Sequence, residues 1–240
     1  MGQREIMLME DMGMKKALIL VAALSCAPLG LFANTAAERL DESARTLHEI
    51  MGTPDRGIPQ DLMNKAWCVV VVPSLKKGAF VVGGEYGKGF ATCRKGAGMG
   101  WGAPAAVIVE GGSFGFQIGG ESTDVVMLVM NEHGMHMLDK DKVTLGGDAS
   151  IAAGPVGRTA TADTDASMNA EILSWSRTKG VFAGVALNGA TLRPDHKANR
   201  ELYGQDMSNR EILASAPHPP AARPLIAELD RYSMRKNGTE

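Results

Sequence analysis

The stretch from Gly98 to Asn131, G-M-G-W-G-A-P-A-A-V-I-V-E-G-G-S-F-G-F-Q-I-G-G-E-S-T-D-V-V-M-L-V-M-N, decides the fold. Ala105 to Val109 and Val125 to Met130 are short apolar runs rich in β-branched residues. Phe114, Phe116 and Ile118 alternate with Gly115, Gln117 and Gly119, and glycine pairs or polar residues punctuate each run. Apolar segments of period two between glycine breaks predict strands joined by tight turns. Glycines within strands mark bulges or close backbone approach. The stretch therefore reads as the middle of a curved, tightly packed antiparallel sheet.

Working outward, Cys68 to Val72 is a continuous apolar run that predicts a buried strand. Ala79–Glu85 and Phe90–Arg94 are expected to follow as strands, with turns at Ser74–Gly78 and Tyr86–Gly89. Downstream, Met135–Leu138, Ala149–Ala153, Val156–Ala162, Ala170–Ser176 and Val181–Leu187 also predict strands. At the N-terminal side Thr35-Ala36-Ala37-Glu38 is a capping box. Leu40, Ala44, Leu47 and Met51 then share one helical face until Gly52 and Pro54. Pro59 opens a second short helix through Ala66. Pro194 starts a helix that Gly204 ends, and Ser208-Asn209-Arg210-Glu211 is a second capping box. Pro217–Pro224 reads as a linker before a loosely attached helix over Leu225–Arg235. The expected fold is α+β: a glycine-rich antiparallel β core of about eight to ten strands framed by N- and C-terminal helices.

A chain of 240 residues with 45% hydrophobic content can bury one sizeable core. Its formal net charge of −2 argues against nucleic-acid binding by bulk charge. The 29 glycines keep no fixed period, which excludes collagen and simple repeats. Lys15-Lys16, the apolar run Ala17–Leu24, Pro28 and Leu31-Phe32-Ala33 read as a bacterial secretory signal within residues 1–33, with Met14 its natural start. Two cuts compete. One follows Ala33; the other precedes Cys26 in the imperfect lipobox Ala23-Leu24-Ser25-Cys26 and leaves that cysteine as a lipid anchor. The apolar Ala27–Phe32 is a poor lipoprotein tether and favours the first. The expected location is outside the cytoplasm, in the periplasm or at the outer membrane. Cys68 and Cys93 could bridge there, but strand positions must align closely for a disulfide, and two small buried hydrophobes are the preferred reading.

If the first strands form a meander, alternate turns share one end of the sheet. Ser74–Gly78 and the loop after Arg94 would gather Lys76, Lys77, Arg94 and Lys95 into a basic rim, opposite the turns at Glu85–Gly89 and Glu110–Ser113. Such a rim suits anionic phospholipid head groups, at about 1 kcal/mol per nearby cation; ordinary solvated turn charges are the alternative. Sharper motifs fare less well. Gly111-Gly112-Ser113-Phe114-Gly115 fits the pattern of a nucleophile elbow, but that chemistry needs a strand–turn–helix, and Phe114–Ile118, directly after Ser113, alternates as a strand. Gly83–Gly87 and Gly96–Gly100 lack the lysine and hydroxyl of a phosphate loop. His133-Gly134-Met135-His136 reads as a hairpin turn rather than a metal clip, since no cysteine pair stands nearby. Asp163–Ser167 lacks the glycine and glutamate of a calcium loop. No cofactor, metal or nucleotide is expected.

An ordered series of motifs carries a resemblance. It comprises Ile58-Pro59, Lys77–Gly84, Gly100–Pro104, Phe114–Gly120, Leu145–Ser150, Ala153–Arg158, Ser174–Val185 and Asn199–Gly204. In that order they resemble the SYLF-domain family of lipid-binding proteins, over about residues 37–215. The resemblance implies a non-enzymatic module that binds membranes. Eukaryotic relatives recognise phosphoinositides and some bind actin, whereas bacterial relatives are exported proteins or lipoproteins. With the signal and linker readings above, the expected domains are 1–33 (signal), 34–215 (SYLF-like) and 216–240 (Pro-rich linker and tail helix). The family's lipid site is attributed partly to an amphipathic N-terminal helix and partly to basic residues. Here that helix carries Glu38, Asp41, Glu42 and Glu49 against Arg39 and Arg45, so the weight falls on the basic turns. Arg158, Arg177 and Lys179, inside family-like segments, form a second tier, with ion pairing or edge protection as their alternative role. Trp101 and Phe80 are the aromatic candidates for insertion at the interface. The expected function is phospholipid binding in the bacterial envelope. A structural envelope protein holding a protein partner by a sheet edge or the C-terminal helix is the alternative, and a hydrolase using Ser113 is remote.

Overall fold

The computed structural model describes residues 34–53, 57–79, 83–95, 100–113, 119–156 and 169–233. The signal segment, Cys26, Phe80, the alternating Phe114–Ile118, Arg158 and the Asp163–Ser167 loop lie outside the described residues. The described residues form one compact unit.

The central strand is β1 (Cys68–Ala79), paired antiparallel with β2 (Gly83–Cys93) on one side and β4 (Gly119–Val129) on the other. β3 (Ala105–Ser113) lies outside β2, so the order β3-β2-β1-β4 is a Greek key, with the fourth strand returning beside the first. The apolar run of β1 meets cover on both sides, as a strand buried on both faces must. Val69 and Val71 meet Phe90, Val126, Leu128 and Trp175 beneath the helices. Cys68, Val70 and Val72 meet Val107, Val109, Val125 and Met127 on the other face.

Further pairing extends the sheet. β7 (Ile172–Thr178) joins β4, and β8 (Val181–Gly184) turns back on β7. β9 (Thr191–Pro194) joins β3, and the two-residue β5 (Val143–Thr144) joins β9. β6 (Ile151–Ala153) runs parallel to β7, the one parallel strand pairing among the described residues. The path is β5-β9-β3-β2-β1-β4-β7-β6. Laid flat, it would span about 34 Å at the usual strand spacing. The chain between Thr144 and Ile151 reaches at most about 24 Å, and a turn closed by Gly146 N–H on the Ala149 carbonyl (2.7 Å) shortens that further. The sheet must therefore curl until its ends approach.

Most of the helices cover the Val69 and Val71 face, and the short one after β4 buries Met137 in the opposite core instead. α1 (Ala36–Met51) starts at the expected capping box, where the Thr35 hydroxyl accepts from Glu38 N–H and the Glu38 carboxylate accepts from Thr35 N–H. It buries Leu40, Ala44, Leu47 and Ile50. α2 (Gln60–Lys65) follows. α3 (Glu132–Met137) connects β4 to β5. α4 (His196–Tyr203) is capped by Asp195 and ended by Gly204, whose φ of 70° suits glycine. α5 (Asn209–Ser215) starts at the second expected capping box, on Ser208 and Glu211. A short 3₁₀ turn (Pro220–Ala222) leads into α6 (Arg223–Ser233). α6 is not loosely attached: Leu225 and Leu229 are buried in the core that α1 covers.

The α+β class and the strand count stand as expected, but several local readings change. Ser74–Gly78 is a bulge, not a turn. Ser74 adopts φ 53°, its N–H donates to Asp124 Oδ1 at 3.0 Å, and the strand then resumes pairing with both neighbours. Tyr86–Gly89 and Glu110–Ser113 are likewise strand interior, held by ladders on β2 and β3. Gly89 explains why glycine sits there: a Cβ would lie 2.0 Å from the Val71 carbonyl oxygen. The segment from Met135 is not a strand, and His133–His136 is not a hairpin turn. Both belong to α3, started by Asn131, whose side chain accepts from Gly134 N–H at 2.8 Å. Cys68 and Cys93 stand directly opposite in the β1/β2 ladder and form a disulfide, contrary to the preferred reading.

Candidate functional site

The long β1/β2 hairpin separates the four expected rim cations. Lys76 and Lys77 sit beside Tyr86 and Glu85, while Arg94 follows Cys93, which faces Cys68 at the other end. Eight residue steps of strand, about 26 Å, separate Tyr86 beside Lys76 from Arg94. They cannot form one rim.

Arg94 is a structural residue. Its guanidinium donates to the carbonyls of Ala66 (3.1 Å), Met63 (3.2 Å) and Ser233 (2.9 Å), tying the end of β2 to α2 and α6. Trp101 is 2% exposed, and its indole N–H donates to Ser233 Oγ at 3.0 Å, so it is not an exposed insertion residue. Arg177 is also engaged: it pairs with Asp124 at 2.9 Å and with Glu49 of α1. Burial disfavours its charge, but the hydrogen bonds and charges of Asp124 and Glu49 outweigh that and hold it more firmly protonated than usual. The apolar face of α1 is committed to the core, with Leu40, Leu47 and Ile50 fully buried, so it offers no amphipathic surface to a bilayer.

Lys76 and Lys179 instead lie towards the same end of the sheet. Cross-strand partners point to one face of a sheet, and β2, β1 and β4 place Tyr86, Lys76 and Ser122 in one row. Lys76 Nζ donates to Ser122 Oγ at 3.0 Å. On the next strand the Thr178 hydroxyl donates to Thr123 Oγ1 at 2.7 Å on the opposite face, and this pairing sets the β7–β8 turn with Lys179 at the Ser122 end of β4. Lys179 takes φ 49° and Gly180 φ 81° there, as a tight two-residue hairpin turn requires, and both are exposed. Tyr86 is 46% exposed and Val181, just beyond the turn, 70%. Neither Lys76 nor Lys179 has a carboxylate partner among the described residues. Lys77, on the opposite face, pairs with Glu85 at 3.8 Å and stands opposite Glu121 in the ladder. Tyr86 and Ser122 were not read from the sequence; the only signal was their position opposite Lys76, which needs the register. Lys95 is exposed at the far end.

The other motifs are structural. Ser113 is the last residue of β3, opposite Gly83, and the next described element is a strand rather than the helix an elbow requires. His133 Nδ1 bonds Glu171, whose carboxylate also accepts from Ser150 N–H at 2.8 Å. Burial raises that carboxyl, but Ser150 and His133 together hold it below the usual range. Among the described residues no group of three His, Cys, Asp or Glu side chains is placed to hold a metal ion. No helix among them is long and apolar enough to cross a membrane.

Comparison with known proteins agrees with this architecture. Residues 110–232 match the Ysc84 family, described as "Las17-binding protein actin regulator". The chain is 39% identical over 184 residues to an SH3 domain-containing protein of Schizosaccharomyces pombe, covering 75% of this chain and 42% of that one. It is 34% identical over 180 residues to Protein YSC84 of Saccharomyces cerevisiae, covering 73% and 38%. It is 32% identical over 184 residues to SH3 domain-containing YSC84-like protein 1 of Homo sapiens, covering 76% and 53%. The matches thus span about two fifths to one half of these relatives' lengths. With the curled glycine-rich sheet and its helical cover, they establish that the chain belongs to the Ysc84, or SYLF-domain, family.

Proposed function

We propose that this chain is a non-enzymatic module that binds anionic phospholipid surfaces through Lys76, Lys179 and Tyr86. The observation that carries the reading is that two lysines without carboxylate partners among the described residues, an exposed aromatic ring and Val181 all lie at one end of the sheet. Lysine stems with an amphipathic ring suit the boundary between head groups and acyl chains. Each cation near an anionic surface contributes about 1 kcal/mol, screened by salt. The place of action is the bacterial envelope in this reading: the N-terminal basic and apolar segments support export, and the Cys68–Cys93 disulfide suits an oxidising compartment.

The test is flotation of residues 34–240 with liposomes of graded anionic content, at low and physiological salt. Salt-sensitive flotation that falls at least tenfold in the double variant Lys76→Gln, Lys179→Gln supports the proposal. Undiminished flotation of that variant overturns the site, and no flotation in any condition overturns the function. A second reading, binding of a protein partner, is favoured by the family description, which names a protein ligand. Retention of a specific partner without lipid would support it.

A further inference from the structure

A second surface, at the opposite end of β2, has the shape of a ligand site. A groove of about 560 Å³ opens between the end of β2, the approach to β3, α3 and α5. That volume lies in the range of small-molecule sites. Its floor is apolar: Met135 and Leu213 are half-buried side chains continuous with the core inside the curl, and Ala103 is fully buried beside them. Its rim is cationic. Lys95 is exposed at the end of β2, and Arg210 of α5 faces His136 of α3 across Asp139, at 3.4 Å and 3.5 Å. His136 also lies 3.7 Å from Glu132 outside the groove, and among the lining residues Lys95 and Arg210 outnumber the one carboxylate, Asp139, which leaves the rim net positive.

We propose that this groove binds a monomeric anionic amphiphile, a single acyl chain bearing a carboxylate or phosphate head. The chain would lie along Met135 and Leu213, and the head would meet Lys95 and Arg210. An apolar floor with charge confined to the rim matches a ligand with one charged end. Among the described residues no phenylalanine, tyrosine or tryptophan lines the groove to stack a nucleobase. The surface is distinct from the Lys76–Lys179 end of the sheet, so the inference does not depend on the membrane reading.

The test uses the full chain labelled with ¹³C-methyl methionine and titrated with laurate below its micelle concentration. Lauryl phosphate replaces the head group, acetate and inorganic phosphate supply the charge alone, and dodecyl maltoside supplies the chain alone. Saturable, one-to-one binding of laurate or lauryl phosphate that shifts the Met135 methyl signal is expected, with the single-component probes at least tenfold weaker. Preference between the two heads distinguishes a fatty acid from a phospholipid source. Lys95→Gln with Arg210→Gln, both exposed positions, should weaken binding at least tenfold, and Leu213→Asp should abolish it. Lys76→Gln should leave it unchanged. An unmoved Met135 signal, equal binding of acetate, or full affinity in the Lys95→Gln, Arg210→Gln variant overturns the proposal. Laurate binding without liposome flotation would refute the membrane reading alone, and flotation without laurate binding would refute the groove alone.

Discussion

The guanidinium of Arg94 lies over the ring of Trp101, 4.2 Å from its centroid, and both side chains hold Ser233 at the end of α6. Cation and ring thus form one joint between the end of β2 and the last described helix.

That joint should be costly to break. Trp101→Ala removes a fully buried aromatic and is expected to lower stability by about 4 kcal/mol. Arg94→Gln leaves carbonyls of α2 and α6 unmet and should cost about 2 kcal/mol. Urea unfolding monitored by circular dichroism gives both values. Flotation of the folded Arg94→Gln protein should equal that of the parent, since this arginine is occupied within the fold.

Asp195 is 3% exposed and joins three elements. It caps α4 through Ala198 N–H, accepts from Lys88 of β2 at 2.7 Å, and lies 3.9 Å from Arg39 of α1. Burial pushes its carboxyl up, but the Lys88 and Ala198 hydrogen bonds and the charges of Lys88 and Arg39 outweigh this, so it titrates below the usual range. Its folded pKa is below the unfolded value near 4, so its contribution is present above about pH 4 and lost as pH falls through the folded value. Asp195→Asn should cost about 3 kcal/mol at neutral pH. The gap between variant and parent should narrow in urea titrations repeated below about pH 4.

The Cys68–Cys93 bridge closes a loop with a sequence separation of 25. Loop-closure entropy for that length amounts to about 3.5 kcal/mol. The double variant Cys68→Ala, Cys93→Ala should therefore unfold at markedly lower urea, and a reducing agent should move the parent towards it. A parent curve indifferent to reductant would show the bridge to be absent in solution.

Two glycines should respond in opposite ways to alanine. A Cβ at Gly154 would lie 2.1 Å from the Trp175 ring, which is fully buried and donates its indole N–H to the Pro155 carbonyl at 2.9 Å. Gly154→Ala should cost upwards of about 2 kcal/mol through overpacking. Gly78→Ala meets nothing within 4 Å, and its smaller unfolded-state freedom should leave stability within about 1 kcal/mol of the parent. Melting temperatures of the pair would check this directly.

The apolar runs, capping boxes and glycine-terminated helix are legible in the sequence because each rests on near neighbours in the chain. Cys68–Val72 could hardly be anything but a buried strand, and Thr35 with Glu38 seals one helix start. The strand extensions are not legible. Pro73-Ser74 and the glycines of β2 carry turn chemistry, and only ladders on both sides, as at Lys77 between Glu85 and Glu121, keep them extended. Turns there would bring Lys76 and Arg94 to one end, when the hairpin holds them apart. α3 escapes detection because its six residues are too few for periodicity to speak, although Asn131 before Glu132 is a usable cap signal. The placing of Lys76, Tyr86 and Lys179 at one end of the sheet depends on register, which pattern alone does not specify.

The curl of the sheet bears on how a protein partner could attach. The path ends in β5 and β6, of two and three residues, and β8, paired to β7 off that path, adds an edge of four. An incoming chain seeking to extend the sheet would find only a few backbone groups there, and such blunt margins resist strand-on-strand aggregation. Recognition of another protein by this domain would therefore fall to side chains on its faces rather than to its main chain.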